Sequence, residues 1–231
     1  MLESIKTGNP ALGQLAPEGF LEMAVRDPEG AAALNDAMTA LTGPLLASVT
    51  AAYDFSRFST LVDVGGGHGA LLMAILRAAP QLRGILFDIA PVIDGARSRI
   101  ADAGLSDRCE LIAGNVFDAV PAGGDAYVLK WVLHDWDNAS GARILANCRA
   151  AMPPDGTLLL IERIVPPEAS ASPDTVSTLL SDLNMLVLSG GCERTEEEFR
   201  SLLAAAGFRL TRVVPTATPH GIIEARVASS I

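Results

Sequence analysis

Short apolar runs alternate with longer helical segments from Leu61 to the end of the chain. Nearly continuous apolar runs of this length are typical of strands that are buried on both faces of a parallel sheet. The predicted strands are TLVDV, RGILFD, CELIAG, AYVLKWV, TLLLIE, FRLTRVV and HGIIEARV, and the helices between them are ALLMAILRAA, PVIDGARSRIADAG and ASGARILANCRAAM. This alternation predicts a parallel sheet with helices on both faces.

The last two predicted strands are separated by little more than PTATP, a connection too short for a crossover helix. We therefore expect these two strands to be antiparallel to each other. The predicted fold is α/β: a doubly wound, mostly parallel sheet of seven strands with an antiparallel edge strand, preceded by N-terminal helices.

The first fifty residues have helical rather than strand patterning, in PEGFLEMAV and in the long segment from Asp27 to Tyr53. Asp27-Pro28 predicts a helix start, with aspartate as the N-cap and proline at the first helical position. We expect residues 1–50 to form a helical extension and residues 51–231 to form the α/β domain.

The composition limits the classes of partner. Of 231 residues, 49% are hydrophobic, enough for a sizeable core, and the net charge of −10 argues against nucleic acid or an anionic membrane as a partner. The three cysteines (Cys109, Cys148 and Cys192) lie far apart and have no metal-ligand spacing, as expected in a reducing compartment. With no recognisable signal peptide or membrane segment, we predict a cytoplasmic protein.

In sheets of this kind, ligands bind beyond the carboxyl ends of the strands. The first predicted strand runs into VDVGGGHG, which contains Asp63 and then glycines at 65, 67 and 69. Glycines permit a tight turn and close approach of the backbone to a ligand. With Ala70, the loop also satisfies the dinucleotide pattern, so a nicotinamide dehydrogenase is an alternative at this point.

Asp88 ends the second predicted strand, about 20 residues after the glycines, where a carboxylate typically accepts hydrogen bonds from a ribose. It could instead cap the helix that we expect to open at Pro91. The segment after the fourth strand supplies His134 and Asp135 but no phosphate-binding feature. S-adenosylmethionine, which has no phosphates, therefore fits better than a dinucleotide.

The fourth strand is followed by KWVLHDWDN, residues 130 to 138. A buried strand that ends on a histidine and an aspartate indicates chemistry at that edge of the sheet. The alternative is a simple strand terminus, with Asp137 capping the next helix.

Taken together, these motifs resemble the S-adenosylmethionine-dependent O-methyltransferases of the plant caffeate and flavonoid type and their bacterial polyketide-tailoring relatives. The resemblance covers roughly residues 8 to 226 and runs through LVDVGGGHG, LFDIAPVI, LKWVLHDW, ILANCRAAMPPDGTLLLIE and GGCERTEEEF. It implies a class I methyltransferase fold, which is Rossmann-like. It also implies methylation of a phenolic hydroxyl in secondary metabolism, without a metal and with S-adenosylhomocysteine as product.

The resemblance also implies roles for individual residues. His134 would be the general base, flanked by Glu162 and Glu193. Glu162 ends a predicted strand whose neighbour runs into His134, so the predicted fold itself brings these two residues together, whereas the approach of Glu193 rests on the resemblance. Asn115 and Val116 stand where the family often has an Asp-Met pair near the adenine. The implied cofactor contacts are Asp63, Gly65, Gly67, Gly69, Asp88, Asn115, Val116 and Lys130, and the candidate acceptor contacts are Trp131 and Asp135. The segment DLNMLVLSGG is expected to form a helix that either lines the acceptor pocket, with Met185 as an adaptable apolar contact, or is plain core.

The chemistry of such a base can be stated in free energy. A phenol has a pKa near ~10 and a histidine near ~6.5, so complete proton transfer to His134 would be uphill by about 5 kcal/mol. That barrier is acceptable if the proton leaves as the methyl group arrives. General-base assistance of this kind contributes about 10²–10⁴-fold.

Members of this family usually carry an N-terminal winged-helix-like dimerisation domain, and almost none of it is expected here. We interpret residues 1–50 as the remnant of a linker to that domain, and expect a homodimer where the domain is present. Two alternatives to methyl transfer follow: a tailoring enzyme that binds S-adenosylmethionine but performs another reaction, such as hydroxylation, and a cofactor-binding module that is inactive without a partner.

Overall fold

The computed structural model describes residues 2–11 and 27–228. Its helices are α1 (Leu2–Thr7), α2 (Pro28–Ala52), α3 (Ala70–Ala78), α4 (Ala90–Asp102), α5 (Asn138–Ala151), α6 (Pro173–Leu188) and α7 (Glu196–Ala205). Its strands are β1 (Thr60–Val64), β2 (Arg83–Asp88), β3 (Cys109–Ala113), β4 (Ala126–Lys130), β5 (Thr157–Val165), β6 (Arg194–Thr195), β7 (Phe208–Pro215) and β8 (His220–Val227). The segment PEGFLEMAV lies outside the described residues.

The strands form one sheet in the order β3-β2-β1-β4-β5-β8-β7, which confirms the predicted fold class. Strands β1 to β5 pair in parallel, and β8 is antiparallel to both β5 and β7. The antiparallel strand therefore lies one position inside the edge, because β8 turns back from β7 and inserts beside β5. The two-residue strand β6, which pairs with the end of β5, was not predicted.

Two strand ends differ from the prediction by more than one residue. Strand β4 ends at Lys130, two residues early, because Trp131 has a left-handed backbone with φ of 56° that cannot continue a strand. Strand β5 continues to Val165, three residues beyond Glu162, because its last residues pair with β6 and β8.

The sheet is buried on both faces, which explains why its strands are apolar throughout. One face packs under α2, α3 and α4 through residues such as Leu45, Leu72 and Ile93. The other face packs under α5 and α7 through residues such as Ile144 and Phe199. The carboxyl ends of β1, β2, β4 and β5 therefore meet at one edge between two helical layers.

Several helices begin at side-chain caps, of which those at Asp27 and Asp137 were predicted. Asp27 accepts a hydrogen bond from the Gly30 amide, with Pro28 at the first helical position, and Asp137 accepts one from the Ser140 amide. Thr195 and Glu198 form a capping box at the start of α7.

A buried carboxylate joins the end of α2 to the far strands. Glu224 on β8 is 6% exposed and accepts hydrogen bonds from the Tyr53 hydroxyl (2.6 Å), the Arg57 guanidinium (2.9 Å) and the Arg212 guanidinium (3.0 Å). The Thr211 hydroxyl donates a further bond to its second oxygen, at 3.0 Å. Burial acts to raise the pKa of Glu224, but the hydrogen bonds from Tyr53 and Arg212 outweigh it and lower the pKa to about 2.

Glu224→Gln is expected to reduce the free energy of unfolding at pH 7 by about 1–3 kcal/mol, because it removes a charged acceptor from a buried network. A depressed carboxyl pKa stabilises the fold above the ordinary value near 4.5, and this stabilisation disappears as the pH falls towards 2. Urea unfolding at pH 7 and pH 3 should therefore show a smaller difference between variant and parent at pH 3. Glu110→Gln, an exposed change on β3, is the control. An equal difference at both pH values would contradict this account.

Candidate active site

The glycine loop has the backbone that the sequence predicts. Gly65, Gly67 and Gly69 have φ of 68°, 59° and 80°, a region that side chains disfavour. A Cβ atom at Gly66 would collide with the Leu86 side chain and lie 2.6 Å from the Asp63 carboxyl carbon. The loop therefore presents bare backbone at the carboxyl end of β1.

Asp88 holds this loop against the end of β2. One carboxylate oxygen accepts from the Gly67 amide at 2.8 Å, and the other accepts from the Ile89 amide at 2.7 Å. Helix α4 begins at Ala90 with Ile89 as its cap residue, so the alternative role of Asp88 as the helix cap is wrong. Burial raises the pKa of Asp88, and the two amide hydrogen bonds oppose that effect.

Asp63 and Lys130 bring opposite charges to the ends of β1 and β4. Asp63 is 1% exposed, and its Oδ2 has no hydrogen-bond partner among the described residues. Burial raises the pKa of Asp63 to about 7, and the charge of Lys130 opposes the shift. The Lys130 ammonium donates to the Thr42 hydroxyl on α2 at 3.2 Å and lies 4.0 Å from the centre of the Trp131 ring. Burial lowers the pKa of Lys130 to about 8.

Asn115 and Val116 follow β3, which pairs with β2 so that Ala113 lies opposite Asp88. The Asn115 side chain is exposed and accepts from the Phe117 amide at 2.9 Å. The Val116 carbonyl accepts from the Asn147 side chain at 2.8 Å. These contacts fix a turn at the same edge of the sheet as the glycine loop.

His134 lies in a single turn of 3₁₀ helix, Leu133–Asp135, directly beyond β4, and is 8% exposed. Its Nδ1 lies 3.3 Å from Glu193 Oε1 and 3.8 Å from Glu162 Oε2. Its Nε2 lies 3.9 Å from Asp135 Oδ1. Two carboxylates therefore face one ring nitrogen, and a third carboxylate lies near the other.

Glu162 is held in place by the turn that carries the histidine. It is fully buried on β5, and its Oε1 accepts from the amides of Val132 (3.1 Å) and Leu133 (3.0 Å). Its Oε2 has no hydrogen-bond partner among the described residues and faces His134. The parallel pairing of β4 and β5 brings these groups together, as predicted.

Glu193 is positioned by helix α6. The Ser181 hydroxyl donates to Glu193 Oε1 at 2.7 Å, and the Glu193 amide donates to Asp182 Oδ1 at 2.9 Å. The sequence analysis missed both residues. The glycine at position 190 is a local sequence signal for this contact. It has φ of 79° and ends α6 in a turn, so the chain runs back along the helix and brings Glu193 near Ser181.

Arg194, also missed, clamps the loop that carries Glu193 onto the segment that carries His134. Its side chain is 1% exposed and donates to the carbonyl oxygens of Leu133 (2.8 Å) and Trp136 (2.7 Å) and to the Asn138 amide oxygen (3.0 Å). A Cβ atom at Gly191 would collide with the His134 carbonyl oxygen. The two segments thus lie in direct backbone contact.

The residues expected to contact the acceptor lie around this edge. The Trp131 ring contacts the Lys130 ammonium and His220, with 5.3 Å between the ring centres of Trp131 and His220. Met185 is buried on α6, the helix that carries Ser181, and the Asp135 side chain is about half exposed.

Residues 10–209 match the family model of the O-methyltransferase domain. The chain belongs to that family. The predicted family is therefore confirmed, and it is not that of a nicotinamide dehydrogenase, the alternative that the glycine loop left open.

Three relatives show how this O-methyltransferase domain compares with known proteins. The chain is 44% identical over 98% of its length to a phenazine O-methyltransferase of Lysobacter antibioticus, and 41% identical over 99% to the mitomycin biosynthesis 6-O-methyltransferase of Streptomyces lavendulae. A solved O-methyltransferase of neocarzinostatin biosynthesis, in complex with S-adenosylmethionine and 2-hydroxy-5-methyl naphthoic acid, superposes with a TM-score of 0.89. It is 34% identical, and the match covers 98% of this chain and 66% of that one. The chain spans 65% and 64% of the two curated relatives.

The electrostatics of this O-methyltransferase domain make His134 more basic than a free histidine. Burial acts to lower the pKa of His134, but the charges of Glu162, Glu193 and Asp135 outweigh it and raise the pKa to about 9. Burial raises the pKa of Glu162 to about 7, whereas the hydrogen bond and charge of His134 bring that of Glu193 below its ordinary value despite burial.

Within residues 2–11 and 27–228, no helix is both long enough and apolar enough to cross a bilayer.

Proposed function

We propose that this chain transfers the methyl group of S-adenosylmethionine to a phenolic hydroxyl of a small aromatic molecule in secondary metabolism, with His134 as the general base. The observation that carries the proposal is the buried imidazole of His134, whose Nδ1 faces Glu162 and Glu193, at the same edge of the sheet as the bare glycine loop. The relatives named for phenazine and mitomycin methylation support an aromatic acceptor and a role in secondary metabolism.

The residues at the edge of the sheet fit S-adenosylmethionine. Asp63 Oδ2, which has no hydrogen-bond partner in the part of the chain that the structure describes, and the buried ammonium of Lys130 match the opposite charges of an amino-acid group. Both oxygens of Asp88 keep a lone pair for a ribose hydroxyl after accepting one amide each. When bound, the cofactor supplies a methyl group on a positively charged sulfur. We assign its binding to Asp63, Gly65, Gly67, Gly69, Asp88, Asn115, Val116 and Lys130.

The raised pKa of His134 changes the free energy of proton transfer. With a pKa of about 9, complete transfer from a phenol of pKa ~10 is uphill by only about 1.4 kcal/mol, against about 5 kcal/mol for a free histidine. The two glutamates thereby bring the base close to the basicity of the acceptor. The corresponding cost is that His134 must lose a proton before it can act at neutral pH.

The carboxylates also fix the orientation of the base. A proton on Nδ1 donates to Glu193, which leaves Nε2 to accept the proton of the acceptor hydroxyl. Glu162 stabilises the imidazolium that forms, at 3.8 Å from Nδ1. We assign acceptor contacts to Trp131 and Met185, and to Asp135 beside Nε2.

Ligand atoms of His134, Glu162 and Glu193 lie within 4.8 Å of one another, a spacing that a metal ion could use. We propose that catalysis needs no metal, because the same carboxylates have a role as partners of Nδ1 and Glu162 is also bonded to the turn. Turnover that persists after treatment with a chelator would support this.

We further propose a cytoplasmic location, with neither nucleic acid nor a membrane as a partner. We propose that the helical residues 1–50, part of which packs on the sheet as α2, lead from a dimerisation domain, with a homodimer where that domain is present.

Asp88→Ala is expected to weaken S-adenosylhomocysteine binding at least tenfold, because it removes both the proposed ribose acceptor and the acceptor of the Gly67 amide. Calorimetric titration of the two proteins measures the difference, and NAD⁺ is titrated in parallel. Asp94→Ala, an exposed change on α4, is the matched control. Equal affinity of Asp88→Ala and its parent would contradict the proposed cofactor site, and binding of NAD⁺ alone would contradict the proposed function.

The mass of the product distinguishes methyl transfer from the hydroxylation alternative: methyl transfer adds a methyl group to the acceptor, whereas hydroxylation adds an oxygen.

A further inference from the structure

A second group of polar side chains lies at the same edge of the sheet and has no part in the proposed proton transfer. Arg163 on β5 and His220 on β8 are direct Cα partners in the antiparallel ladder, so their side chains leave the same face of the sheet. Side chains alternate along a strand, so the neighbouring Glu162 leaves β5 towards the opposite face. A ligand that reached both His134 and this pair would lie across the carboxyl-end edge of the sheet.

His220 has a buried nitrogen that nothing in the described chain satisfies. The residue is 7% exposed, its Nδ1 lies 3.1 Å from the Thr218 hydroxyl, and its ring packs on Trp131. Its Nε2 has no hydrogen-bond partner among the described residues. Burial and the charge of Arg163 lower the pKa of His220 to about 4, so the ring is neutral at pH 7. When Nδ1 accepts from Thr218, Nε2 carries the proton and can donate it.

Arg163 carries a positive charge and has no ion-pair partner among the described residues. Its guanidinium makes one hydrogen bond, to the Ser177 hydroxyl at 3.2 Å, and no carboxylate of the described residues lies within 4 Å of it. An arginine has five N–H donors, so most remain for a ligand. Its charge lowers the pKa of both His220 and Glu193, and its hydrogen-bond partner Ser177 lies on α6, the helix whose Ser181 bonds to Glu193.

We propose that Arg163 and His220 form a subsite for a carboxylate carried by the aromatic acceptor. A guanidinium with free donors beside a neutral N–H is a chemical match for an ionised carboxylate. The inference deepens the proposed function and rests on it. It restricts the acceptor class to hydroxylated aromatic acids.

Sheet geometry decides between the acceptor and the cofactor as the source of the carboxylate. In the order β1-β4-β5-β8, His220 lies three strands from the glycine loop, about 14 Å, and two strands from the end of β4, about 10 Å. The second distance suits a two-ring aromatic whose hydroxyl is at His134 and whose carboxylate is at the far end. Trp131, which packs on His220 and is only partly buried, is an aromatic neighbour of this subsite.

The test uses two probes that differ only in the carboxylate, 6-hydroxy-2-naphthoate and 2-naphthol. Calorimetric titrations of the chain, with and without saturating S-adenosylhomocysteine, give the ratio of their affinities. We expect the unchanged chain to bind the naphthoate at least tenfold more tightly. Arg163→Gln should reduce that ratio to within about threefold, while Arg163→Lys should restore part of it. His220→Phe, which keeps a ring against Trp131, should also lower the ratio. Arg200→Gln, on the exposed surface of α7, should leave it unchanged.

The subsite proposal would be overturned if the unchanged chain showed no preference for the naphthoate. It would also be overturned if Arg163→Gln lowered the affinity for both probes by the same factor, or if Arg163→Gln lowered the affinity for S-adenosylhomocysteine. The last result would assign Arg163 to the cofactor. Failure of the unchanged chain to bind S-adenosylhomocysteine at all would overturn the proposed function instead, and the titrations without that ligand would still report the carboxylate preference.

Discussion

Replacement of His134 by alanine is expected to lower methyl-transfer turnover by about 10²–10⁴-fold, the contribution of a positioned general base. The affinity for S-adenosylhomocysteine should stay within about twofold of the parent, because the contacts assigned to the cofactor lie on or just after β1, β2 and β3 and at Lys130. Steady-state kinetics and calorimetry on the same preparation measure the two quantities. A parallel loss of ligand affinity and turnover would show that His134 is structural rather than a base.

The dependence of kcat/KM on pH gives a second readout of the same base. Because the neutral imidazole accepts the proton, activity should rise with pH and level off near the His134 pKa of about 9. Glu193→Gln removes a negative charge 3.3 Å from Nδ1, which lowers the pKa of His134. Its rising limb should therefore move to lower pH, with a lower plateau because the base is weaker.

Glu197→Gln is the matched control, because this glutamate is exposed on α7 and only four residues from Glu193 in the chain. Its pH profile should coincide with that of the parent. If Glu193→Gln also left the limb in place, the carboxylate would not be coupled to the base, and the proposed origin of the basicity of His134 would be wrong.

The parts of the site that the sequence could predict are those determined locally or by neighbouring strands. Glycines at 65, 67 and 69 were expected to permit an unusual backbone, and all three have positive φ. Glu162 and His134 were expected to approach because consecutive strands of a parallel α/β sheet often pair, and β4 and β5 do. Each inference needs only one strand and its neighbour.

The parts that remained hidden depend on contacts between distant segments. The approach of Glu193 to His134 came only from the family resemblance, since 59 residues separate them. Arg194 was missed because two of its main acceptors are backbone carbonyls, which carry no residue-specific signal. The left-handed backbone of Trp131 could not be predicted either, because tryptophan is not among the residues that commonly adopt a positive φ.

Arg194→Met is expected to lower the free energy of unfolding by more than about 3 kcal/mol. The substitution leaves the carbonyl oxygens of Leu133 and Trp136 buried without their charged donor, and each lost bond of this kind costs about 1.5–3 kcal/mol. Urea unfolding at pH 7 measures the loss. Arg200→Met removes an arginine that is 44% exposed and should cost less than about 1 kcal/mol.

Arg194→Lys tests whether the hydrogen bonds of the Arg194 guanidinium, rather than its charge, position Glu193. Lysine keeps the positive charge but lacks the planar fork that reaches acceptors on two segments at once. If the clamp sets the distance from Glu193 to His134, the folded lysine variant should lose at least tenfold in kcat while its S-adenosylhomocysteine affinity is unchanged. The rising part of its kcat/KM profile against pH should also move towards that of Glu193→Gln, since a looser loop weakens the interaction between Glu193 and His134. A variant that is less stable but has the parental pH limb would show that Arg194 supports the fold without setting the base.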